Sequence, residues 1–190
     1  RPRMKTSEHL LRPNLGLLFS RSIPEQRSFS EIFVSNQIID LHAAAGQTYC
    51  APLWIYDKGS MGASGNIKFE RQANLQLSIS RKIASCVGME YYPVAEYETI
   101  DSQVRLNPED IFDYIYAVLH SPTYREKYEE FLKIDFPRVP YPKDKKQFDA
   151  LVALGGELRE LHLLESAKVN QFITTYPISG SDVVEKPVYK

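Results

Sequence analysis

The sequence predicts an α+β fold in which a β-rich amino-terminal half packs on a helical carboxy-terminal half of about three helices. Two observations carry this prediction. Short apolar runs rich in aromatic and branched residues occupy the first half. Helix start and stop signals, with apolar residues at steps of three and four, occupy the second half. We expect one compact domain overall, with a β-rich region over 1–106, a helical region over 107–176 and a tail over 177–190.

Three apolar runs in the first half predict strands, at residues 15–20 (LGLLFS), 29–35 (FSEIFVS) and 49–56 (YCAPLWIY). Pro52 has no N–H to donate to a neighbouring strand, so it predicts an edge or a bulge in the third run. The next segment, residues 57–71, is rich in glycine and serine and predicts a mobile or binding loop.

A helix is predicted over residues 74–89, with Asn74 as its cap and Gly88 as its stop. Its apolar residues recur every four positions, at Leu75, Ile79, Ile83 and Val87. Residues 91–100 predict an extended linker or a strand.

Two helices are predicted to meet in a sharp corner. Asn107 is a cap residue and Pro108 suits the first helical position. The apolar face of this helix comprises Ile111, Phe112, Ile115, Val118 and Leu119. Ser121 and Pro122 then repeat the start signal, so the first helix must end there and a second must begin. The buried side of the second helix is predicted at Tyr124, Tyr128, Phe131 and Leu132.

The proline-rich segment 136–142 (FPRVPYP) predicts an extended strap across the surface. Asp144 and Gln147 resemble a capping box that opens a third helix, which we expect to reach about Glu165. Its apolar face is predicted at Leu151, Leu154, Leu158, Leu161 and Leu164. The tail, residues 173–190, predicts a strand and a loose end.

The composition indicates a folded, soluble chain, because 43% of the 190 residues are hydrophobic and 25% are charged. The net charge of −1 argues against a protein that coats nucleic acid without specificity. The charge is unevenly distributed, however. Residues 1–90 carry 11 Lys and Arg against 7 Asp and Glu, whereas residues 91–190 carry 12 against 17. Only the first half is therefore suited to face a polyanion.

Cys50 and Cys86 lie in apolar contexts, which predicts buried, reduced thiols of a cytosolic protein rather than a disulfide. No apolar run approaches the ~18 residues of a membrane span. The amino-terminal segment RPRMKTSEH lacks the apolar stretch of a signal peptide and does not begin with Met. We expect a cytoplasmic protein without a membrane partner, and a fragment of a longer polypeptide or a processed chain.

The sequence offers few groups for catalysis, so we expect no catalytic residues and no enzyme activity in this chain. Phosphate-binding glycine loops, a dinucleotide fingerprint and a G-x-S-x-G turn are absent. The four His and two Cys lack metal-ligand spacing, so no metal site is predicted. His162 and Glu165 are expected to pack rather than to bind metal. Asp40 and His42 form a possible acid–base pair, which leaves a hydrolase as the weakest of three alternatives.

Polar side chains are concentrated at predicted strand ends and loops within residues 19–50. Arg suits guanine, Asn and Gln suit adenine, and Ser suits either base in the major groove. Polar residues also occupy loops in proteins that bind no DNA, so this pattern by itself leaves both interpretations open.

Residues 107–166 closely resemble the C-terminal specificity region of single-chain restriction–modification enzymes of the Type ISP kind and related helicase/methylase proteins. The most distinctive part is the helix–Ser-Pro–helix–KIDFPR block. Further segments resemble earlier parts of the same region, so the resemblance covers about residues 5–176; these segments are 1–11, 14–22, 29–42 and 51–57.

In that family one polypeptide combines a nuclease, a helicase-like ATPase, an adenine methyltransferase and a target-recognition domain. The Asn/Asp-Pro-Pro-aromatic methyltransferase motif is absent here, as are the ATPase and nuclease motifs. The resemblance therefore implies DNA target recognition without catalysis. It implies two partners, double-stranded DNA and the methyltransferase domain of the same polypeptide. S-adenosylmethionine, ATP and Mg would serve the parent enzyme, and no cofactor is expected in this fragment.

On this resemblance we expect the β-rich half to lie against the major groove. The residues predicted to contact bases, chosen for their chemistry, are Arg21, Arg27, Asn36, Gln37, His42 and Gln47. Those predicted to contact phosphates are Arg12, Lys58 and Lys68. The alternative is an inter-domain or protein-interaction scaffold without DNA contacts, which predicts an exposed apolar patch on the helical half and no basic concave surface on the β half.

Overall fold

A computed structural model describes residues 4–21, 29–40, 42–43, 47–61, 67–93, 104–175, 179–181 and 183. Its strands are β1 (Gly16–Ser20), β2 (Ile32–Ser35), β3 (Thr48–Pro52), β4 (Trp54–Tyr56), β5 (Ser60–Met61), β6 (Ile67–Lys68), β7 (Arg71–Ala73), β8 (Glu90–Tyr91) and β9 (Arg105–Leu106). Its α-helices are α1 (Met4–Ser7), α2 (Leu77–Val87), α3 (Pro108–His120), α4 (Pro122–Lys127), α5 (Glu129–Ile134) and α6 (Lys145–His162). Short 3-10 turns cover Glu8–Leu11 and Ala167–Asn170. The predicted α+β fold is confirmed.

The largest sheet has three antiparallel strands, with β1 in the centre between β2 and β3. Gly16 lies opposite Ser35 on one side and Pro52 on the other, whereas Ser20 lies opposite Thr48. Pro52 ends the edge strand β3, as its missing N–H predicts. The chain then turns at Leu53 and enters β4.

The remaining strands form pairs. β4 pairs antiparallel with β7, β5 with β6, and β8 runs parallel to β9. The segment predicted as a loop, residues 57–71, therefore contains the ends of a small hairpin. The predicted linker at 91–100 falls mostly outside the described residues.

No helix in the described part of the chain is long and apolar enough to cross a bilayer.

Helix α3 lies at the centre of the domain, and nine of its 13 residues are buried. Its start follows the sequence signals. The Asn107 side chain accepts the Asp110 N–H, and the Asp110 carboxylate accepts the Asn107 N–H, each at 2.9 Å. Pro108 takes the first helical position, where its missing N–H costs no hydrogen bond. Phe112 packs on Leu53 and Trp54 and so joins this helix to the sheets.

Helices α3 and α6 cross at very close range. A Cβ atom at Gly155 would lie 1.9 Å from the Asp113 carbonyl oxygen, so only glycine fits. The buried Asp113 carboxylate accepts two hydrogen bonds from Arg159, at 2.7 and 3.0 Å. This hydrogen bonding with Asp113 raises the pKa of Arg159. The crossing thus combines a backbone contact with a two-pronged ion pair.

The strap prediction is confirmed, since residues 136–142 are neither helix nor strand. The Tyr114 hydroxyl donates to the Pro140 carbonyl and the Tyr124 hydroxyl to the Arg138 carbonyl, both at 2.9 Å. These two hydrogen bonds fix the strap to α3 and α4.

Several predicted helix boundaries were wrong. The second predicted helix is two short helices, α4 and α5, because the chain leaves helical geometry at Tyr128. Phe131 consequently faces solvent, with 70% of its surface exposed. Helix α2 is capped at Gln76, since the Asn74 amide donates instead to the Pro52 carbonyl. Its residue Ile79 is exposed rather than buried.

The third predicted helix, α6, ends at His162 rather than near Glu165. Leu154 and Leu164, predicted as part of its apolar face, are exposed. The cause is the close approach at Gly155, which rotates α6 so that Phe148, Gly155 and Arg159 face α3. The tail shows no strand in its described residues, which are 173–175, 179–181 and 183.

Both cysteines are free thiols. Cys50 is partly buried, and burial raises its pKa to about 11. Cys86 was predicted to be buried but is exposed, because α2 turns Ile83, Ala84 and Val87 towards the core.

We expect Gly155→Ala to destabilise the domain by ~1–3 kcal/mol, because the new Cβ would overlap the Asp113 carbonyl. Helix propensity alone predicts the opposite sign, a gain of ~1 kcal/mol. Urea unfolding measures the difference, with Gly180→Ala as the control, since Gly180 has open space around it. A Gly155→Ala protein as stable as the wild type would contradict the close crossing.

Candidate nucleic-acid interface

The sheet register separates the predicted DNA-contacting residues into two groups. One group lies near the first residue of β1, Gly16, and we call this end of the sheet the Gly16 end. The group comprises Arg12, Asn36 and Gln37. Arg21 and Gln47 flank the paired residues Ser20 and Thr48 at the other end, called the Ser20 end. Strand β1 has five residues, so its two ends are ~14 Å apart.

At the Gly16 end, Arg12, Asn36 and Gln37 line a cleft of about 460 Å³ together with Glu165. The Arg12 guanidinium lies 3.6 Å from the centre of the Phe69 ring and 5.6 Å from that of Tyr56. Contact with two aromatic faces holds this arginine in place by cation–π attraction. Arg12 therefore offers a positioned positive charge at the mouth of the cleft.

Asn36 and Gln37 differ in how free their side chains are. The Asn36 amide nitrogen donates to the Glu165 carboxylate at 3.0 Å, which connects β2 to the chain after α6. The Gln37 backbone N–H donates to the Ser35 hydroxyl at 3.0 Å. This turn fixes the Gln37 backbone while its side chain stays exposed. Gln37 thus has the more accessible side chain of the two.

At the Ser20 end, Arg21 lies over the Phe136 ring, with its guanidinium carbon 5.6 Å from the ring centre. Phe136 also makes edge contacts with Phe19 and Tyr49, at centroid distances of 5.6 and 5.2 Å. Gln47 is exposed beside this aromatic cluster. Arg21 and Gln47 are therefore next to each other in the sheet register, although 26 residues separate them in the chain.

The other predicted residues do not join either end in the described structure. His42 sits in a turn in which its N–H donates to Asp40 at 2.8 Å. Both side chains are open to solvent, 73% for His42 and 83% for Asp40, so the described residues do not enclose the pair in the pocket that the hydrolase alternative requires. Lys58 is exposed beyond β4. Arg27 lies outside the described residues, and for Lys68 the structure describes only its place in β6.

Sequence reasoning missed Arg71. Its guanidinium lies 4.2 Å from the Trp54 ring, and it pairs with Tyr56 across β4 and β7. Arg12 also contacts Tyr56, so Arg12 and Arg71 stack on aromatic residues of the same strand pair. The sequence places Lys68 and Arg71 three residues apart without indicating which one meets the tryptophan. Only the strand register distinguishes them.

The second residue missed is Asn14, which is buried between Arg12 and β1. Its amide nitrogen donates to the carbonyls of His9 and Trp54, at 3.0 and 2.8 Å. Its carbonyl oxygen accepts the N–H groups of Leu15 and Trp54, at 2.9 and 3.0 Å. One side chain therefore satisfies four backbone groups and fixes the segment that carries Arg12 against β4.

The described residues contain no group of three or more His, Cys, Asp or Glu side chains suited to a metal ion. His162 packs as expected, with its Nδ1 2.6 Å from the Tyr116 hydroxyl. The two ends of the β1 sheet thus provide polar and cationic contact groups.

Comparison with known proteins identifies the family. The family model described as the Type ISP C-terminal specificity domain matches residues 1–190. The chain belongs to this family. A search of the curated proteins found no match.

Two solved structures resemble this specificity domain. One is the cryoEM structure of a DrdV–DNA complex, with 28% identity, a TM-score of 0.55, and coverage of 80% of this chain and 12% of DrdV. The other is LlaBIII, described as an ATP-dependent Type ISP restriction-modification enzyme bound to DNA, with 22% identity, a TM-score of 0.57, and coverage of 80% and 8%. The LlaBIII likeness concerns the fold alone. The chain spans only about a tenth of the length of these two proteins.

We expect Asn14→Ala to destabilise the specificity domain by ~3 kcal/mol, because it leaves buried backbone groups of Trp54 without partners. Asn36→Ala is the matched control. It removes one exposed hydrogen bond and should change stability by less than ~0.5 kcal/mol. Chemical denaturation of both variants gives the comparison. If both variants lose the same stability, the hydrogen bonds of Asn14 do not fix the segment that carries Arg12 against β4.

Proposed function

We propose that this domain selects the DNA sequence on which a restriction–modification enzyme acts, and that other domains of the same polypeptide methylate and cleave the DNA. The observation that carries the proposal is the match to a specificity-domain family over the whole chain. The similarity to DrdV, whose structure contains DNA, supports it. S-adenosylmethionine, ATP and Mg²⁺ would serve the catalytic domains.

The two ends of the β1 sheet suit two separate contacts on one duplex. Their separation of ~14 Å corresponds to about four base-pair steps of ~3.4 Å. Gln37 at the Gly16 end has a free amide for adenine, and Arg21 at the Ser20 end has a guanidinium for guanine. A bidentate contact of this kind discriminates against the wrong base by ~1–3 kcal/mol.

Arg12 and Arg71 suit the phosphate backbone. Both guanidinium groups already rest on aromatic rings, so binding would immobilise them at a small further cost in side-chain entropy. Phosphate contacts position a protein on DNA without reading its sequence. The domain has a net charge of −1, so its affinity alone should be low and the methyltransferase domain should provide further contacts.

We expect Gln37→Ala, made in the polypeptide that carries this domain, to relax the methylated target at one base pair or to abolish methylation. The reason is the loss of the amide that reads a base edge. Sequencing that detects methyladenine across a genome measures the target. Gln171→Ala is the matched control, because Gln171 is an exposed glutamine on the helical half.

Arg27→Ala extends this experiment to the residue that lies outside the described structure. The assignment of the base-contacting residues is wrong if the methylated sequence is unchanged after replacement of all six residues, which are Arg21, Arg27, Asn36, Gln37, His42 and Gln47. Unfolding curves of each variant separate a loss of reading from a loss of folding.

We expect Arg12→Gln and Arg71→Gln each to weaken duplex binding about equally for all sequences. Each loss of a phosphate contact should reduce the slope of log K against log salt concentration by ~0.9. Fluorescence anisotropy with labelled duplexes over a salt series gives these slopes. Arg138→Gln is the control, because its side chain is 90% exposed on the strap and the charge change is the same. A slope equal to that of wild type would place Arg12 or Arg71 away from the DNA.

A second candidate function is an inter-domain scaffold, and one feature favours it. Phe131 and Ile134 are exposed beside a groove of about 460 Å³ between α5 and the strap. Such an apolar groove is suited to cover by another protein surface. If the domain is a scaffold, replacing the six residues predicted to contact bases should leave the methylated sequence unchanged. Phe131→Gln should instead abolish methylation.

A further inference from the structure

A second cleft lies between β2 and residues of α3, α4 and α6. Its volume is about 370 Å³, and its polar lining includes His120, Arg125 and His162. Residues 32–34 of β2 form its apolar wall. We call this cleft the His–Arg cleft. Its lining brings three basic side chains together, and no carboxylate is among the lining residues.

Arg125 is the most unusual of these groups. Its Nε donates to the Leu119 carbonyl at 2.7 Å, which takes up a free carbonyl at the end of α3. Its Nη2 is buried and has no hydrogen-bond partner in the described part of the protein. Burial lowers the pKa of Arg125. A partly buried guanidinium whose buried donor is unsatisfied is costly unless an acceptor reaches that donor.

The two histidines are held beside Arg125 by Tyr116. The Tyr116 hydroxyl is 2.6 Å from Nδ1 of His162, and the Tyr116 carbonyl is 2.9 Å from Nδ1 of His120. The imidazole rings lie 5.5 Å apart. With Nδ1 of His162 engaged, its Nε2 is the ring nitrogen left for a ligand.

The electrostatic environment of His120 also favours an anion. Burial lowers the pKa of His120, and the charges of Arg125 and His162 lower it further. The hydrogen bonds that His120 donates to the backbone of Tyr116 and Ile32 raise its pKa and so act in the opposite direction. A negative group in the cleft would act against this lowering, because an opposite charge nearby favours the protonated form of His120.

We propose that the His–Arg cleft binds one tetrahedral oxyanion of the phosphate class, through the guanidinium of Arg125 and the imidazole of His162. Phosphate oxygens match guanidinium geometry and accept several hydrogen bonds at once. The group has two possible sources, a free phosphate or a phosphate of the DNA backbone. Binding of the free anion does not depend on the proposed function.

Nuclear magnetic resonance of the imidazole nitrogens tests the proposal. Inorganic phosphate is titrated into this chain at pH 7, while chloride keeps the ionic strength constant. The chain has four histidines, and the rings of His120 and His162 should shift saturably while those of His9 and His42 do not. The proposal is overturned if no ring responds, or if all four respond alike.

Variants assign the binding to Arg125. Arg125→Gln should weaken phosphate binding at least tenfold, while Arg138→Gln, an equal charge change on the exposed strap, should leave it unchanged. If Arg125→Gln does not fold, His162→Gln replaces it, because that side chain is exposed. Phosphate should then protect His162→Gln against thermal unfolding less than it protects the wild type. Equal phosphate affinity, or equal protection, in variant and wild type would overturn the assignment.

A final titration identifies the source of the phosphate. If duplex DNA produces the same His120 and His162 shifts and phosphate competes with it, the DNA backbone occupies the cleft. If duplex DNA leaves these rings unchanged, the ligand is a free anion. The change of methylation target in Gln37→Ala is measured separately, so either proposal can fail without the other.

Discussion

The close crossing of α3 and α6 is the constraint on which the rest of the domain depends. Gly155 removes the side chain that would keep the helices apart, and the buried Asp113 then requires its two hydrogen bonds from Arg159. Loss of one partner of a buried ion pair leaves an uncompensated charge, which typically costs ~3–5 kcal/mol. The ion pair therefore disfavours any helix arrangement that separates Asp113 from Arg159. That arrangement fixes the face of α3 on which the sheets pack.

This helical support reaches both ends of the β1 sheet by separate contacts. At the Gly16 end, Asn36 is bound to Glu165, which follows α6. At the Ser20 end, Phe136 of the strap packs on Phe19 and Tyr49. Reading a base edge needs positions held to a fraction of an ångström, because hydrogen-bond strength falls steeply with distance and angle. On the proposed function, connecting each end to the helices would meet this requirement without a large sheet.

Local signals were enough to predict much of the fold, and long-range contacts explain what they missed. Asn107 and Pro108 identified the start of α3 because capping depends on neighbouring residues alone. The rotation of α6 depends on the contact between Gly155 and Asp113, which are 42 residues apart in the chain. The leucine spacing therefore predicted the wrong buried face for this helix. The same limit applies to the site. Its polar residues were recognisable by type, but their division between two sheet ends follows from strand register.

The uneven charge adds an argument about orientation. The first 90 residues carry 11 basic against 7 acidic side chains, and the last 100 carry 12 against 17. On the proposed function, the acidic helical half would be repelled by the phosphates while the β half is drawn towards them. The resulting preference in orientation needs little net attraction. A specificity domain gains from this balance, because strong attraction to every phosphate would hold it on the wrong sequences as firmly as on the right one.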